Sequence, residues 1–212
     1  VLLSDGYLGN GAGPWKIRSV KDMPDITPFV AKEGEEWQSY ARDTQKLARK
    51  HALPGTKGLE HRVGGLEKED ITGNISYEPE NHEKMCFLRA EKIERVADFI
   101  SKQEVYGDES GDLLVIGWGG TYGSLYTAVK ELREEGRKVS LAHFNYINPL
   151  PKNTAEIFKN FKNIVVCELN NGQFVDLLKS KHDTFQFKQF NHIKGLPFKT
   201  TDLKEHFNTL IS

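Results

Sequence analysis

Leu113-Leu114-Val115-Ile116-Gly117-Trp118, followed directly by Gly119-Gly120-Thr121-Tyr122-Gly123, is the stretch on which the fold turns. An uncharged apolar run of this length suits a strand buried on both faces. The glycines then turn the chain. Leu125, Ala128, Val129 and Leu132 follow at i, i+3, i+4 and i+7, the spacing of an amphipathic helix. Gly136 stands at the C′ position, where a left-handed residue is wanted. The unit is strand, glycine turn, helix.

The same alternation continues downstream. Val139 to Phe144 predicts a second strand, and Asn148-Pro149-Leu150-Pro151 a rigid turn. Asn153 and Glu156 have capping-box spacing before a helix with Ile157, Phe158 and Phe161. Ile164 to Glu168 predicts a third strand, and Asn170-Asn171-Gly172-Gln173 leads into a helix with Phe174, Leu177 and Leu178. Phe185 and Phe187, alternating with polar residues, predict a half-exposed edge strand. Thr201 or Asp202 is expected to cap a last helix carrying Leu203, Phe207, Leu210 and Ile211. Strands separated by helices favour parallel pairing with right-handed crossovers. The expected fold class is a three-layer α/β/α domain with a mostly parallel sheet over residues 112–212.

Upstream the character changes. Residues 1–83 are rich in Gly, Pro and charge and poor in periodic apolar positions. Gly9 to Trp15, Leu53 to Gly58 and Thr72 to Pro79 read as loops. Loops this long usually serve a function or pack on something, so the region is expected to wrap a missing domain or a partner subunit; disorder is the other reading, for residues 20–55 especially. Residues 81–102 predict a helix with Met85, Leu88, Val96 and Ile100 at near-helical spacing and Phe87, Ile93 and Ala97 beside them, a connector running with its acidic link over 84–111. Val1-Leu2-Leu3, broken by Ser4-Asp5-Gly6, reads as the end of a strand whose sheet lies upstream, or alternatively as a short edge strand after a trimmed leader.

The totals narrow the function class. Lys and Arg number 29 against 30 Asp and Glu, a formal charge of −1, which gives no reason to expect nucleic acid or a membrane surface as partner. Only Cys86 and Cys167 are present, too few for an iron–sulfur cluster held by this chain and fitting a reducing cytoplasm. The seven histidines show no H-x-x-x-H spacing, and no metal site is expected. No nucleophile elbow or Ser-His-Asp order is evident.

Three loops are candidate sites. Gly119, Gly120, Thr121, Tyr122 and Gly123 could bring backbone N–H groups and a helix N-terminus to an anion, or could simply be a tight turn that needs glycine. Glu168, Asn170, Gly172 and Gln173 could cap the following helix or reach another chain. Glu60, His61 and Arg62, between Gly58 and Gly64-Gly65, put carboxylate, imidazole and guanidinium on one loop, as a site or interface would, or as solvated charges.

These stretches together resemble the alpha subunit of the 2-oxoacid:ferredoxin oxidoreductases, the 2-oxoglutarate type especially. The most specific match runs from Pro54-Gly55-Thr56 through Gly58-Leu59-Glu60-His61-Arg62, Gly64-Gly65-Leu66-Glu67-Lys68-Glu69-Asp70 and Asn81-His82-Glu83-Lys84-Met85. Leu3 to Gly9 resembles the last strand of the family's pyrimidine-binding domain. Gly117 to Gly123, with Glu168, Asn170, Gly172 and Gln173, resembles its domain of transketolase C-terminal fold. The chain departs from other branches at Arg62 and Val63, where they carry acidic residues, and at His192, where a lysine is expected. The resemblance implies a parent enzyme that decarboxylates a 2-oxoacid on thiamine diphosphate with magnesium. Such an enzyme passes electrons through an iron–sulfur cluster to ferredoxin and delivers the acyl group to coenzyme A. It implies a beta subunit that holds the diphosphate, the metal and the cluster, and a second alpha subunit. It assigns no catalytic residue and no bound cofactor to the present chain, which is expected to serve assembly and to be inactive alone.

Overall fold

The computed structural model describes residue 3, residues 9–14 and residues 16–211. The expected opening strand falls almost wholly outside the described residues.

Four strands form one parallel sheet: β1 (Gly111–Trp118), β2 (Val139–Phe144), β3 (Phe161–Glu168) and β4 (Phe187–Asn191), in the order β2-β1-β3-β4. The long helices are α1 (Pro79–Glu94), α2 (Tyr122–Glu134), α4 (Gln173–Lys181) and α5 (Thr200–Leu210), with a shorter α3 (Thr154–Lys159) between β2 and β3. Strand alternation divides the core into two layers. Leu113 and Val115 face α2 and α5, packing on Leu125, Ala128, Leu132, Leu203 and Phe207. Leu114 and Ile116 face α3 and α4, packing on Ile157, Phe158, Phe174 and Leu178. The connection β1-α2-β2 runs outward from β1 on one face, and β2-α3-β3 returns across it on the other. Right-handed crossovers require this change of face when the direction reverses. The reversal places a topological switch point between the carboxyl ends of β1 and β3.

Gly136 closes α2 as expected, at φ +83°. Two caps differ from expectation. Asn153 does stand before α3, but its side chain accepts from Gln103 N–H (2.8 Å) and donates to Gln103 C=O (2.9 Å), tying the helix to the preceding segment. The last helix starts after Lys199, with no side-chain cap from Thr201 or Asp202. The edge strand begins at Phe187, leaving Phe185 to pack edge-on against Phe158. On the opposite edge, Tyr106 exchanges both backbone hydrogen bonds with Leu141, so that side of β2 is covered.

The region before the sheet has little regular structure. Isolated bridges such as Tyr40↔Ile71 and Lys68↔Ile75 hold it together. Polar side chains supply most of the remaining ties. Asp43 accepts three backbone N–H groups. Asn81, on α1, bonds Asp70 N–H and Lys68 C=O. Helix α1 gives way to a 3-10 turn at Arg95–Asp98, so the expected helix is shorter than its apolar pattern. Of that pattern only Met85 is buried; Phe87 is 67% exposed and Ile93 45%.

Candidate functional site

At the switch point, Glu168 is completely buried. Its Oε2 accepts from the Trp118 indole N–H (3.2 Å) and from Phe174 N–H (2.9 Å), and its Oε1 accepts from Val175 N–H (3.0 Å). The carboxylate therefore neutralises the positive end of α4 from inside. Asn170 Oδ1 accepts from Gly172 N–H (2.7 Å) and Gln173 N–H (3.0 Å). Gly172 lies at φ +99°, and a Cβ there would come within 2.8 Å of Gln189 Oε1. Between capping and reaching another chain, the groups of Glu168 and Asn170 are engaged in capping, while the Gln173 side chain is left at the surface.

The glycine loop lies beside this corner. Gly119 adopts φ +57°, and Gly119–Thr121 makes a 3-10 turn. Thr121 Oγ1 accepts from Trp118 N–H (3.1 Å) and donates to Trp118 C=O (2.8 Å), so the turn is closed by its own threonine. Gly120 and Gly123 face open space. Tyr122 stacks on Tyr126 and meets His143 edge-on at 5.1 Å. Gly119, Tyr122 and His143 border an open cleft of about 810 Å³. Burial pushes His143 below the ordinary histidine value, with partial opposition from the Gly119 and Trp118 backbone. Among the described residues the cleft's charged side chains are one of each sign, Lys102 and Glu104, so it carries no net attraction for an anion.

The third loop is elsewhere. Glu60, His61 and Arg62 are all exposed. His61 Nδ1 sits 2.9 Å from Leu59 C=O, and its ring meets Trp37 at 5.0 Å. His61 and Arg62 border a cleft of about 210 Å³ together with Arg49, Lys50 and Lys68; Glu60 does not. Lys68 is only 3% exposed. Sequence reading missed Arg49 and Lys68. A lysine's burial depends on loops folding over it, and nothing in the local pattern signals that. The three candidate loops thus form no single site: the first two adjoin at the sheet, and the third belongs to the irregular region. No group of three or more His, Cys, Asp or Glu among the described residues is arranged to hold a metal ion.

Residues 111–205 match the family model described as pyruvate:ferredoxin oxidoreductase core domain II. The chain is 43% identical over 205 residues to the 2-oxoglutarate oxidoreductase subunit KorA of Mycobacterium tuberculosis, a match covering 96% of this chain and 31% of that protein. The chain belongs to the alpha-subunit family of the 2-oxoacid:ferredoxin oxidoreductases. Another member of the family, the alpha subunit of 2-oxoacid:ferredoxin oxidoreductase 1 of Aeropyrum pernix, is 27% identical over 202 residues, which is 90% of this chain and 30% of that one. The solved 2-oxoglutarate:ferredoxin oxidoreductase from Magnetococcus marinus superposes with a TM-score of 0.82 at 26% identity, over 91% of this chain and 34% of that one. That structure has 2-oxoglutarate, coenzyme A and succinyl-CoA bound. The present member of the alpha-subunit family spans about a third of the length of these relatives.

Proposed function

We propose that this chain is part of the alpha subunit of a thiamine-diphosphate-dependent 2-oxoglutarate:ferredoxin oxidoreductase that makes acyl-CoA. Its own contribution is assembly, and it does not turn over alone. The observation that carries the assembly role is the surface before the sheet. Val63, Phe87, Val96 and Phe99 are exposed on a region with almost no apolar core of its own. Apolar side chains left open on α1 and the turn after it need a cover, and that cover is the rest of the alpha subunit and the beta subunit. On this reading residues 1–83 wrap, 84–111 connect, and 112–212 form the transketolase-like assembly domain. Glu60, His61 and Arg62 are the loop offered to a neighbour, and a second alpha subunit completes the particle.

The residues present do not fit an iron–sulfur cluster. Cys167 is fully buried and Cys86 exposed, so the two thiols cannot share an iron–sulfur cluster. On this reading thiamine diphosphate, magnesium and the cluster are held by other parts of the enzyme, which also carry out ferredoxin docking and the coenzyme A reaction. No helix among the described residues is long and apolar enough to cross a membrane. The balanced charge and unpaired thiols suit the cytoplasm, without nucleic acid or membrane as partner.

Mixing the chain with the beta subunit tests the assembly role. A complex at micromolar concentration by size exclusion or ultracentrifugation is expected, and Phe87→Ser should weaken it. Absence of association would defeat the proposal. A second reading, an independent binder of an anionic small molecule at the glycine loop, is favoured only by the size of the cleft touching Gly119. A thermal-shift screen with coenzyme A and nucleotides separates the two, because a ligand at 100 times its Kd should add about 2.7 kcal/mol.

A further inference from the structure

We propose that Arg49 and Lys68, with Arg62 at the rim, form a binding site for a phosphate-bearing small anion. The cleft they share with Trp37, Tyr40, His51 and His61 contains no carboxylate in its lining. Burying an ammonium without a counter-charge is costly, yet Lys68 is buried with only neutral partners. Its Nζ donates to Leu66 C=O (2.5 Å) and Gly64 C=O (3.1 Å), which leaves one N–H unassigned. Arg49 lies over Tyr40, its Cζ 4.0 Å from the ring centroid, and donates once, to Ser39 C=O at 3.3 Å. The aromatic face holds the guanidinium while leaving most of its donors free, an arrangement suited to an oxyanion.

The neighbouring carboxylates are engaged elsewhere. Glu35 pairs with Lys50, Asp70 with Arg42 and Lys84, and Glu67 with His82 and Arg89. No ion pair to Arg49, Arg62 or Lys68 exists among the described residues. The site thus holds three cations without counter-charge, which favours a dianion over a single carboxylate. At about 210 Å³ the cleft is smaller than the roughly 300 Å³ from which whole drug-sized ligands are accommodated. It suits a phosphate or diphosphate group. A second cleft, about 520 Å³, meets the first at Tyr40, Arg49, Gly64 and Lys68, and its lining adds Arg42, Arg89, Lys92 and Glu67 to Leu66, Met85 and Leu88. The remainder of a phosphate ester would lie there. This inference does not require the subunit assignment and holds whether or not the chain binds a beta subunit.

The test is calorimetric titration of the 212-residue chain with inorganic pyrophosphate at constant ionic strength. Saturable one-to-one binding is expected. Arg49→Gln and Lys68→Met should each weaken it roughly tenfold or more, while Lys102→Gln, in the cleft beside the glycine loop, leaves it unchanged. Succinate at the same ionic strength should bind more weakly than pyrophosphate. If Lys68→Met fails to fold by circular dichroism, the half-buried Arg49 decides through its own variant. No saturable binding, an equal loss in the Lys102 control, or full affinity in Arg49→Gln overturns the proposal. So does succinate binding as tightly as pyrophosphate, which would assign the cations to carboxylates of a partner chain.

Discussion

Between Gly111 and Leu210, strands β1 and β3 are covered on both faces, and Leu113, Leu114, Val115 and Ile116 have no accessible surface at all. Between Phe29 and Tyr77 the buried residues are Ala31, Ser39, Leu47, Leu59, Lys68 and Gly73, and two of the side chains are polar. The first region gains about 25 cal/mol for each Å² of apolar surface removed from water, over a whole core. The second is tethered by turns, ion pairs and single hydrogen bonds worth about 1 kcal/mol each. One sequence therefore contains a part that specifies its own fold and a part whose order leans on polar ties and on whatever covers it. Hydrogen exchange should show this directly, with amides of β1 and β3 protected to the level of global unfolding and those of residues 30–75 opening locally.

The strongest attack on the self-sufficient half is Glu168→Ala. It removes the acceptor for three buried donors, from Trp118, Phe174 and Val175. Each orphaned donor costs about 1–3 kcal/mol, so a loss of ~3 kcal/mol or more is expected in urea unfolding. A cost below 1 kcal/mol would mean that water replaces the carboxylate and that the corner is not a closed cap. Next comes Gly117→Ala. A Cβ there would lie 2.2 Å from Leu125 Cδ1 and 2.8 Å from Thr121 Oγ1, overpacking the β1–α2 turn by about 1–3 kcal/mol. The matching change upstream is Gly73→Ala. That residue sits at φ +75° with Ser39 Oγ 1.9 Å from the Cβ position. It should speed proteolysis within residues 30–77 while leaving unfolding of the sheet domain unchanged. If both transitions move together, the two regions are one cooperative unit and the contrast is wrong.

Acid should also separate them. Burial depresses His143, His182 and His206, all in the sheet domain. A depressed histidine is protonated first in the unfolded chain. The domain therefore loses stability as pH falls below the ordinary value of 6.5 towards the lower folded values. Upstream, Glu35 is held down by its hydrogen bond from Lys50, Asp43 by backbone N–H groups led by Lys46, and Glu67 by His82 and then Arg89. Depressed carboxylates stabilise the fold above their unfolded values of 3.8 for Asp and 4.5 for Glu. They lose that contribution as pH falls through the lower folded values. These three are half-buried at the surface, so the effect upstream is modest and partly screened by salt. Melting followed at pH 7 and pH 5.5 should lower the domain transition and spare these carboxylate contacts. Equal melting at both pH values would contradict the histidine argument.

How much of this was legible depended on the same contrast. The run Leu113 to Trp118, the i, i+3, i+4, i+7 pattern of α2 and the glycine at position 136 are local signals, and each fell where the pattern put it. Caps were less legible, because Asn153 has the right spacing for one and bonds Gln103 instead, a partner fifty residues earlier. The glycine loop and the Glu168 loop could be found from composition. That Glu168 would turn inward depended on Trp118 meeting it across the sheet. Upstream, periodicity placed Met85, Leu88, Val96 and Ile100 at helical spacing, with Phe87 and Ile93 beside them, but could not say that Phe87, Ile93 and Val96 would stay open. The cations around Lys68 left no trace in the linear pattern, since Arg49 and Lys68 meet only through irregular loops.

The smallest effect expected is the most informative about why the upstream region holds its shape. Ile71 adopts φ +70°, a left-handed conformation that β-branched residues rarely enter, beside the Thr72-Gly73 turn. Its side chain is 49% exposed, so burial within the chain does little to offset that strain. Its carbonyl accepts from Tyr40 N–H at 3.1 Å, which fixes the backbone in place. Asparagine tolerates this conformation better, so Ile71→Asn should stabilise the isolated chain by about 0.5 kcal/mol, seen as slower exchange at Tyr40. If the isoleucine is kept for contact with another subunit, the same variant should bind the beta subunit less tightly. Stabilisation with undiminished binding would show that the strain serves no interface. Weaker binding together with a steadier chain would place Ile71 on the surface that the partner covers.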